Sequence, residues 1–132
     1  MARSGDFLSF VSKSPFLTFL KTALHFTSSK NNVDVARKLI AHRASARVKD
    51  KRGQLPLHRA ASIGSVPMVN LLLENKSPLN ATDMSGLTAL HHAIAEGHGD
   101  TAMVLLRVGV ETDKRDVDGS LAIDMVPDKK VF

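Results

Sequence analysis

The sequence contains no cysteine, tryptophan or tyrosine among its 132 residues. The lack of cysteine excludes disulfide bonds, thiolate metal ligands and a cysteine nucleophile, and it fits a reducing compartment. No apolar run is long enough to cross a bilayer as a helix, so we expect no membrane partner. The remaining composition, 43% hydrophobic and 23% charged, is ordinary for a globular chain. A single domain accounts for this length.

The chain repeats itself with a period of 33 residues. A period in this range indicates a solenoid built from stacked supersecondary units. The strings "TALH", "LPLHRAA" and "TALHHA" recur at this register and match the ankyrin signature, so the chain is identified as a member of the ankyrin-repeat family. We predict an all-α ankyrin-repeat solenoid with about three full repeats and a partial C-terminal cap. The residues in register are Asp50, Asp83 and Asp116; Gly53, Gly86 and Gly119; and His25, His58 and His91.

Each unit carries the same local signals. The D-x-x-G segments predict tight turns, because aspartate bonds back to the backbone and glycine fits where a side chain would be crowded. Thr22 and Thr88 are predicted to cap the first helices of their units, whereas Leu55 and Leu121 offer no cap hydroxyl. Pro56 suits a first helical turn. The predicted divisions are an irregular segment 1–21 outside the repeat and an ankyrin domain 22–132, with units 22–54, 55–87, 88–120 and a partial unit 121–132.

The second helix of each unit has an apolar stripe. The strings "VDVARKLIA", "VPMVNLLLE" and "GDTAMVLLR" place apolar residues at helical spacing, so their stripes are predicted to form one continuous core. The final string, "SLAIDMVPDKKVF", predicts a short helix whose Leu121, Ile123 and Val126 shield the third repeat.

Residues 1–21 admit three interpretations. Leu17 and Leu20 stand where the period predicts aspartate and glycine, so no repeat begins here. The four phenylalanines of the segment could pack over the first repeat as a lid. Alternatively the segment could be a signal peptide, although a lysine and a proline interrupt its apolar stretch, or it could be poorly ordered.

The stretch "LPLHRAAS" resembles an active-site fragment, because His58 sits beside an arginine and a serine follows. Since the histidine recurs at the same place in each unit, we interpret it as a structural bridge from a helix to a neighbouring loop. His92 and His98 break the period, but their spacing matches no metal motif. The regularly spaced aspartates are assigned to turns rather than to acid–base chemistry. We therefore expect no metal, no cofactor and no enzymatic activity.

A solenoid binds partners through its concave side and its fingertips, where side chains are not needed for stacking. These positions define the candidate contact surface, although any one member could simply be a solvated surface residue. The candidates are Ser29, Lys30, Arg47, Lys49, Lys51, Arg52, Gln54, Ser62, Ile63, Met84, Ser85, Leu87, Glu96 and Asp118, together with Val117.

Charge is polarised along the predicted stack. Residues 22–53 hold eight basic and two acidic side chains, residues 54–86 two of each, and residues 87–119 three basic and six acidic. The basic end predicts an acidic protein surface as partner, with binding that weakens in salt. Nucleic acid is the competing interpretation, but the opposite end is acidic and there is no tryptophan or tyrosine to stack on bases. We expect no nucleic-acid partner.

Three strings resemble one subfamily: "SSKNN", "DKRGQLPLHRAASIGS" and "TALHHAIAEGHGDTAMVLL". They are similar to the C-terminal half of gankyrin-type proteins, the ankyrin-repeat assembly chaperones of the proteasome regulatory particle, and most like the fungal members. The resemblance covers residues 22 to about 130. It implies that the partner is the C-terminal domain of one proteasomal AAA ATPase subunit. Lys30 matches the family lysine that pairs with acidic residues of that domain.

The same resemblance implies steric timing as the mechanism: the chaperone holds an ATPase module and obstructs its premature docking onto the core particle. We expect a monomer located in the cytoplasm and nucleus. Members of that family have more repeats than the three and a partial one found here. The alternative is a generic ankyrin adaptor or inhibitor of another signalling or regulatory protein.

Overall fold

The computed structural model describes residues 15–127, with side-chain environments from residue 22 onward. Within this range all regular secondary structure is helical and no strand is present, which confirms the all-α prediction. The elements are α1 (Pro15–Ser29), α2 (Val33–Ala41), α3 (Pro56–Ile63), α4 (Val66–Glu74), α5 (Ala89–Ala95), α6 (Gly99–Arg107) and a 3-10 helix (Ala122–Met125).

The helices form two layers. In the inner layer α1 contacts α3, α3 contacts α5, and α5 contacts the 3-10 helix. In the outer layer α2 contacts α4, and α4 contacts α6, while each outer helix also packs on the inner helix of its own pair. Every pair therefore touches only its neighbours, as in a solenoid. None of the helices between residues 15 and 127 has the length and apolarity to cross a membrane.

The core repeats with the sequence. Leu24, Leu57 and Leu90 are 33 residues apart, and all three are buried in the inner layer. Ala60 and Ala93 are fully buried on the same layer, and their small side chains let α3 and α5 approach closely. Because equivalent positions bury equivalent side chains, stacking the units produces one continuous hydrophobic cluster.

The start of the first helix differs from the sequence prediction. Helix α1 begins at Pro15, so Thr22 lies inside the helix and its predicted role as an N-cap is wrong. The equivalent prediction for Thr88 is confirmed, because its Oγ1 accepts the backbone N–H of His91 at 3.3 Å as α5 begins. The helix α1 extends before residue 22 because the sequence there lacks the D-x-x-G turn that precedes α3 and α5.

At the two helix starts without a cap hydroxyl, a side chain three residues further on accepts the backbone N–H of the cap residue. Helix α3 begins at Pro56, as predicted, and the Nδ1 atom of His58 accepts the backbone N–H of Leu55 at 2.9 Å. At the 3-10 helix, Asp124 Oδ2 accepts the N–H of Leu121 at 2.9 Å. These bonds satisfy the N–H of the cap residue itself, and Leu55 and Leu121 make no side-chain cap bond to the first turn.

The C-terminal cap differs from the prediction in the residues that it buries. It is a 3-10 helix, and Ile123, which was expected to shield the third repeat, is 62% exposed. Ala122 is buried instead, and Met125 and Val126 are partly buried against the core.

Two sequence predictions fall on residues outside the described range. The phenylalanine lid concerns Phe7, Phe10, Phe16 and Phe19, whose side chains are not among those described. The end of the partial unit, residues 128–132, also lies outside. The division of the chain at residue 22 and the unit boundaries remain predictions.

Three turns, here called fingers, connect the helix pairs at residues 50–53, 83–86 and 116–119. In the second finger the Oδ1 atom of Asp83 accepts the backbone N–H groups of Ser85 and Leu87, both at 2.9 Å. Asp50 and Asp116 make the same pair of bonds to the residues two and four positions later. The aspartate of D-x-x-G therefore shapes each turn, as the sequence predicts.

The fingers are also bonded to one another. The N–H of Met84 donates to the carbonyl of Arg52 at 3.0 Å, and the N–H of Val117 donates to the carbonyl of Ser85 at 3.0 Å. Two peptide groups that would otherwise face water are thereby used to hold successive fingers at a fixed offset.

Shortening a buried side chain of the outer helix layer should cause a large loss of stability. Leu72 of α4 is fully buried, so Leu72→Ala should lower the free energy of unfolding by about 2 to 5 kcal/mol. Leu106→Ala is the matched control, because Leu106 is 40% exposed and should cost far less. Urea unfolding followed by far-UV circular dichroism measures both. Equal losses in the two variants would contradict the assigned core.

Finger stacking predicts that two glycines differ in their tolerance of a side chain. Gly86 and Gly119 both have positive φ, at 77° and 81°, so alanine costs about 1 to 2 kcal/mol at either position. At Gly86 the added Cβ would also lie 3.0 Å from backbone atoms of Asp116 and Val117, whereas nothing lies within 4 Å at Gly119. Gly86→Ala should therefore unfold at lower urea than Gly119→Ala, and the reverse order would contradict the stacking.

Candidate protein-binding site

A groove of about 990 Å³ lies between the first finger and the inner helices. One wall is the backbone and side chains of residues 48–54, and the other is the last turn of α1 together with α3. This surface is called the finger groove. It is lined by Thr22, Ser29, Val48, Lys49, Asp50, Lys51, Arg52, Gln54, His58, Arg59, Ser62, Ile63 and His92.

The finger groove brings together seven of the fifteen contact residues predicted from sequence. Those that line it are Ser29, Lys49, Lys51, Arg52, Gln54, Ser62 and Ile63. The other predicted residues lie outside its lining: Lys30, Arg47, Met84, Ser85, Leu87, Glu96, Val117 and Asp118. Sequence reasoning missed the groove's charged residues Asp50, Arg59 and His92 as members of the surface.

An ion pair fixes one side of the groove. Arg59 Nη2 donates to Asp50 Oδ2 at 2.8 Å, and Arg59 Nη1 donates to the hydroxyl of Ser29 at 3.2 Å. Burial raises the pKa of Asp50, but the Arg59 bond and the backbone N–H groups of Gln54 and Arg52 together lower it below its ordinary value. The carboxylate is therefore held ionised, and its charge is neutralised within the protein.

The next repeat contains the equivalent pair with histidine in place of arginine. His92 Nε2 lies 2.9 Å from Asp83 Oδ2, and the two side chains are mostly buried. Burial raises the pKa of Asp83, but its hydrogen bonds to His92 and to two backbone N–H groups lower it overall. The ring of His92 also meets that of His58 edge to face, with centroids 5.5 Å apart. An acid and a basic residue nine positions apart, recurring at the period, were the sequence signal for both pairs.

The recurring histidines are structural bridges, which confirms the sequence interpretation. All three rings are buried, and each joins an inner helix to the residue that directly follows the next finger. The Nδ1 atom of His58 accepts a backbone N–H, so the ring carries its proton on Nε2 and donates from there. The Nε2 bonds join His25 to the carbonyl of Gln54 at 2.8 Å, His58 to that of Leu87 at 3.1 Å, and His91 to that of Ser120 at 3.2 Å.

Two of the predicted basic contact residues also have a structural use. Arg47 Nη1 donates to the carbonyl of Lys76 at 3.2 Å, and Lys49 Nζ donates to the carbonyl of Thr82 at 3.0 Å. Both bonds run from the first repeat to the second. The charges of Arg47 and Lys49 remain exposed, but moving either side chain toward a partner breaks a bond between repeats.

Three other cations are not held in this way. The side chains of Lys51 and Arg52 are exposed and make no hydrogen bond or ion pair with residues 22–127. Lys30 is exposed as well, and its Nζ lies 5.6 Å from the ring centroid of Phe26, within the range of a cation–π contact. These cations can meet anionic groups without breaking an internal hydrogen bond or ion pair.

Phe26 is an exposed aromatic residue that sequence reasoning missed. It occupies the repeat position of Arg59 and His92, both of which contact the aspartate of a finger. The first repeat has Leu17 at the corresponding aspartate position, so no equivalent ion pair forms and Phe26 is 60% exposed. The departure from the period at residue 17 was the available signal.

No group of three histidine, aspartate or glutamate side chains between residues 15 and 127 is placed to hold a metal ion. What the described surface offers is a shallow, charged groove beside regular helices and fingers. This arrangement suits contact with another macromolecule and is typical of a repeat scaffold.

Comparison with known proteins agrees with this architecture. The model of the ankyrin repeats family matches residues 24–116 in three copies, and the chain belongs to this family. The chain is 45% identical, over 112 residues, to the probable 26S proteasome regulatory subunit p28 of Saccharomyces cerevisiae. That alignment covers 83% of this chain and 49% of the relative, so the chain spans about half the relative's length. The expected likeness to gankyrin-type proteins is confirmed, and a protein-binding scaffold is supported.

The buried His58 predicts a pH dependence of stability. Burial lowers its pKa, the nearby His92 lowers it further, and the hydrogen bonds to the carbonyls of Ala81 and Leu87 oppose this. Below pH 6.5, the ordinary histidine value, the unfolded chain takes up a proton here while the folded protein does not. The contribution is therefore fully present above that pH and is lost as pH falls through the lower folded pKa.

The variant His58→Gln, which does not titrate, should show a smaller fall in the free energy of unfolding between about pH 7.5 and about pH 5 than the wild type. Urea unfolding at each pH measures this, and comparison at the higher pH separates the general cost of the substitution. Identical pH dependence of the two proteins would be incompatible with a neutral, buried His58.

Proposed function

We propose that the chain is a protein-binding ankyrin scaffold of the proteasome regulatory particle, acting as an assembly chaperone. Its partner is the C-terminal domain of a proteasomal AAA ATPase subunit, bound through the basic side of the solenoid next to the finger groove. The single observation that carries the proposal is the free Lys30 in a chain whose relative is a proteasome regulatory subunit.

The charge of this face supports an acidic partner. Lys30, Lys51 and Arg52 are exposed cations whose side chains form no hydrogen bond or ion pair with residues 22–127. The nearby acid Asp50 is already neutralised by Arg59 at 2.8 Å. The first repeat therefore presents uncompensated positive charge, which raises the association rate with an acidic surface and is screened by salt.

We also propose that the protein has no catalytic activity. His58, the residue most suggestive of an active site, has both ring nitrogens bonded to backbone groups. A general base needs a free nitrogen within reach of the substrate's proton, and His58 offers none without losing its bridge. In this proposal the function is binding alone. The protein acts in the cytoplasm and nucleus, and the bound chaperone obstructs premature docking of the ATPase onto the core particle.

The second candidate function is a generic ankyrin adaptor or inhibitor of another signalling or regulatory protein. It is favoured by one observation, that the ankyrin repeats matched at residues 24–116 define a binding scaffold without naming its partner.

Capture of the purified ATPase C-terminal domain by the immobilised full chain tests the proposal. Lys30→Glu should weaken capture at least about tenfold, because it replaces an attractive charge pair by a repulsive one. Lys38→Glu is the matched control, since Lys38 is exposed on the outer helix α2 and should leave capture unchanged.

Two results would count against the proposal. Failure of the wild-type chain to capture any ATPase C-terminal domain contradicts the partner and favours the adaptor. Equal capture by the wild type and Lys30→Glu removes Lys30 from the interface. Capture should also weaken steadily as salt is raised, because the attractive charges are exposed.

A further inference from the structure

Equivalent exposed positions of the three repeats change character in one fixed order. At the end of the inner helices the order is a lysine, an isoleucine and a glutamate, and at the fingertips it is an arginine, a serine and an aspartate. All six side chains are exposed. Both rows therefore run from cation through an uncharged residue to anion. The first row is Lys30, Ile63 and Glu96, and the second is Arg52, Ser85 and Asp118.

None of these side chains is used by the fold. Within residues 22–127 they form no side-chain hydrogen bond or ion pair, and Lys30 contacts only the ring of Phe26. By contrast, three other basic side chains donate hydrogen bonds within the protein: Arg47, Lys49 and Arg59. The charged members of the two rows change sign from the first repeat to the third, and they are available to a partner because no internal hydrogen bond or ion pair holds them.

The two rows are held in register by the backbone. The N–H of Met84 bonds the carbonyl of Arg52, and the N–H of Val117 bonds that of Ser85, each at 3.0 Å. The fingertips cannot slide past one another without breaking these bonds. Neighbouring packed helices lie about 8 to 10 Å apart, so each row extends over about 20 Å from the first repeat to the third.

Exposed apolar side chains accompany the charges. Met84 and Val117, on the fingertips, are 74% and 71% exposed, Phe26 is 60% exposed, and Ile63 is 37% exposed. Exposed apolar groups rimmed by charges mark surfaces that contact macromolecules. They supply contact area for a partner, while the ordered charges decide which way round it binds.

We propose that this surface selects the direction of its partner. It takes a helix, lying along the stack, that presents acidic side chains over the first repeat, apolar ones over the second and basic ones over the third. Two turns of helix advance about 11 Å, close to the spacing of the repeats, so one helix face meets each row in step. Reversed binding places like charges together and is disfavoured. The inference rests on the proposed function, because it concerns the same face.

Two synthetic helical peptides of about 20 residues, long enough to span the stack, test the inference. They have identical composition; one carries glutamates at one end, leucines in the middle and lysines at the other end, and the second has the charges scrambled. The graded peptide should bind the full chain at least about tenfold more tightly than the scrambled one.

A spin label on the glutamate end of the graded peptide reports direction by NMR. It should broaden the amide signal of Gly53, in the first finger, and leave that of Gly119, in the third finger, sharp. Equal binding of the two peptides, no binding by either, or broadening at Gly119 instead would overturn the inference.

Charge reversal at each end separates order from net charge. Lys30→Glu with Arg52→Glu should weaken binding of the graded peptide, and so should Glu96→Lys with Asp118→Lys. Combining all four substitutions restores the net charge of the protein but exchanges the basic and acidic ends of both rows. The spin label should then broaden the signal of Gly119, in the third finger, instead of that of Gly53. An effect of the first pair alone would mean a simple anion-binding patch and would contradict direction selection.

The matched control is Arg37→Glu with Lys38→Glu, which makes the same charge change at exposed positions of α2, and it should leave binding of the graded peptide unchanged. The ATPase domain separates the two proposals. If the graded peptide binds in the expected direction but the domain is not captured, the proposed partner is wrong and direction selection stands. If the domain is captured and the peptides do not differ, the inference is wrong and the proposed function stands.

Discussion

The hydrogen bond from a buried imidazole to the carbonyl that follows the next finger is the interaction on which the rest of the structure depends. His25, His58 and His91 each make it. A buried polar group without a partner is costly, so the bond forces the inner helix and the following turn into one relative position. That position opens the groove between finger and helix, and it holds the fingers close enough to bond one another.

The same constraint separates charges that build the protein from charges that face outward. Asp50 and Asp83 each shape their finger through two backbone N–H groups, and their second oxygen atoms bond to Arg59 and His92. These pairs are partly buried and contribute to the architecture, whereas Lys30 stays on the surface with no such bond. Net charge alone is thus a poor guide to the binding face; what matters is which charges the fold leaves uncompensated.

Local signals predicted the architecture well, and the site less well. The D-x-x-G turns and the first-turn Pro56 correspond to observed elements, because such signals act over a few residues. The 33-residue period then repeats these elements along the chain. The Asp50–Arg59 and Asp83–His92 pairs were missed, because only the folded chain brings residues nine positions apart into contact. Thr22 was misassigned as a cap because a good capping residue caps nothing when the helix continues through it.

By itself, the sequence determined the class of fold, the places of the turns and the structural role of the recurring histidines, because each follows from a residue type repeated at a fixed interval. Only the tertiary structure decided how individual surface residues are used. Arg47 and Lys49 became links between repeats, whereas Phe26 was left exposed. The physical reason is that these outcomes depend on which backbone group or side chain the neighbouring repeat brings within reach, and a distance in space is not written in the spacing along the chain.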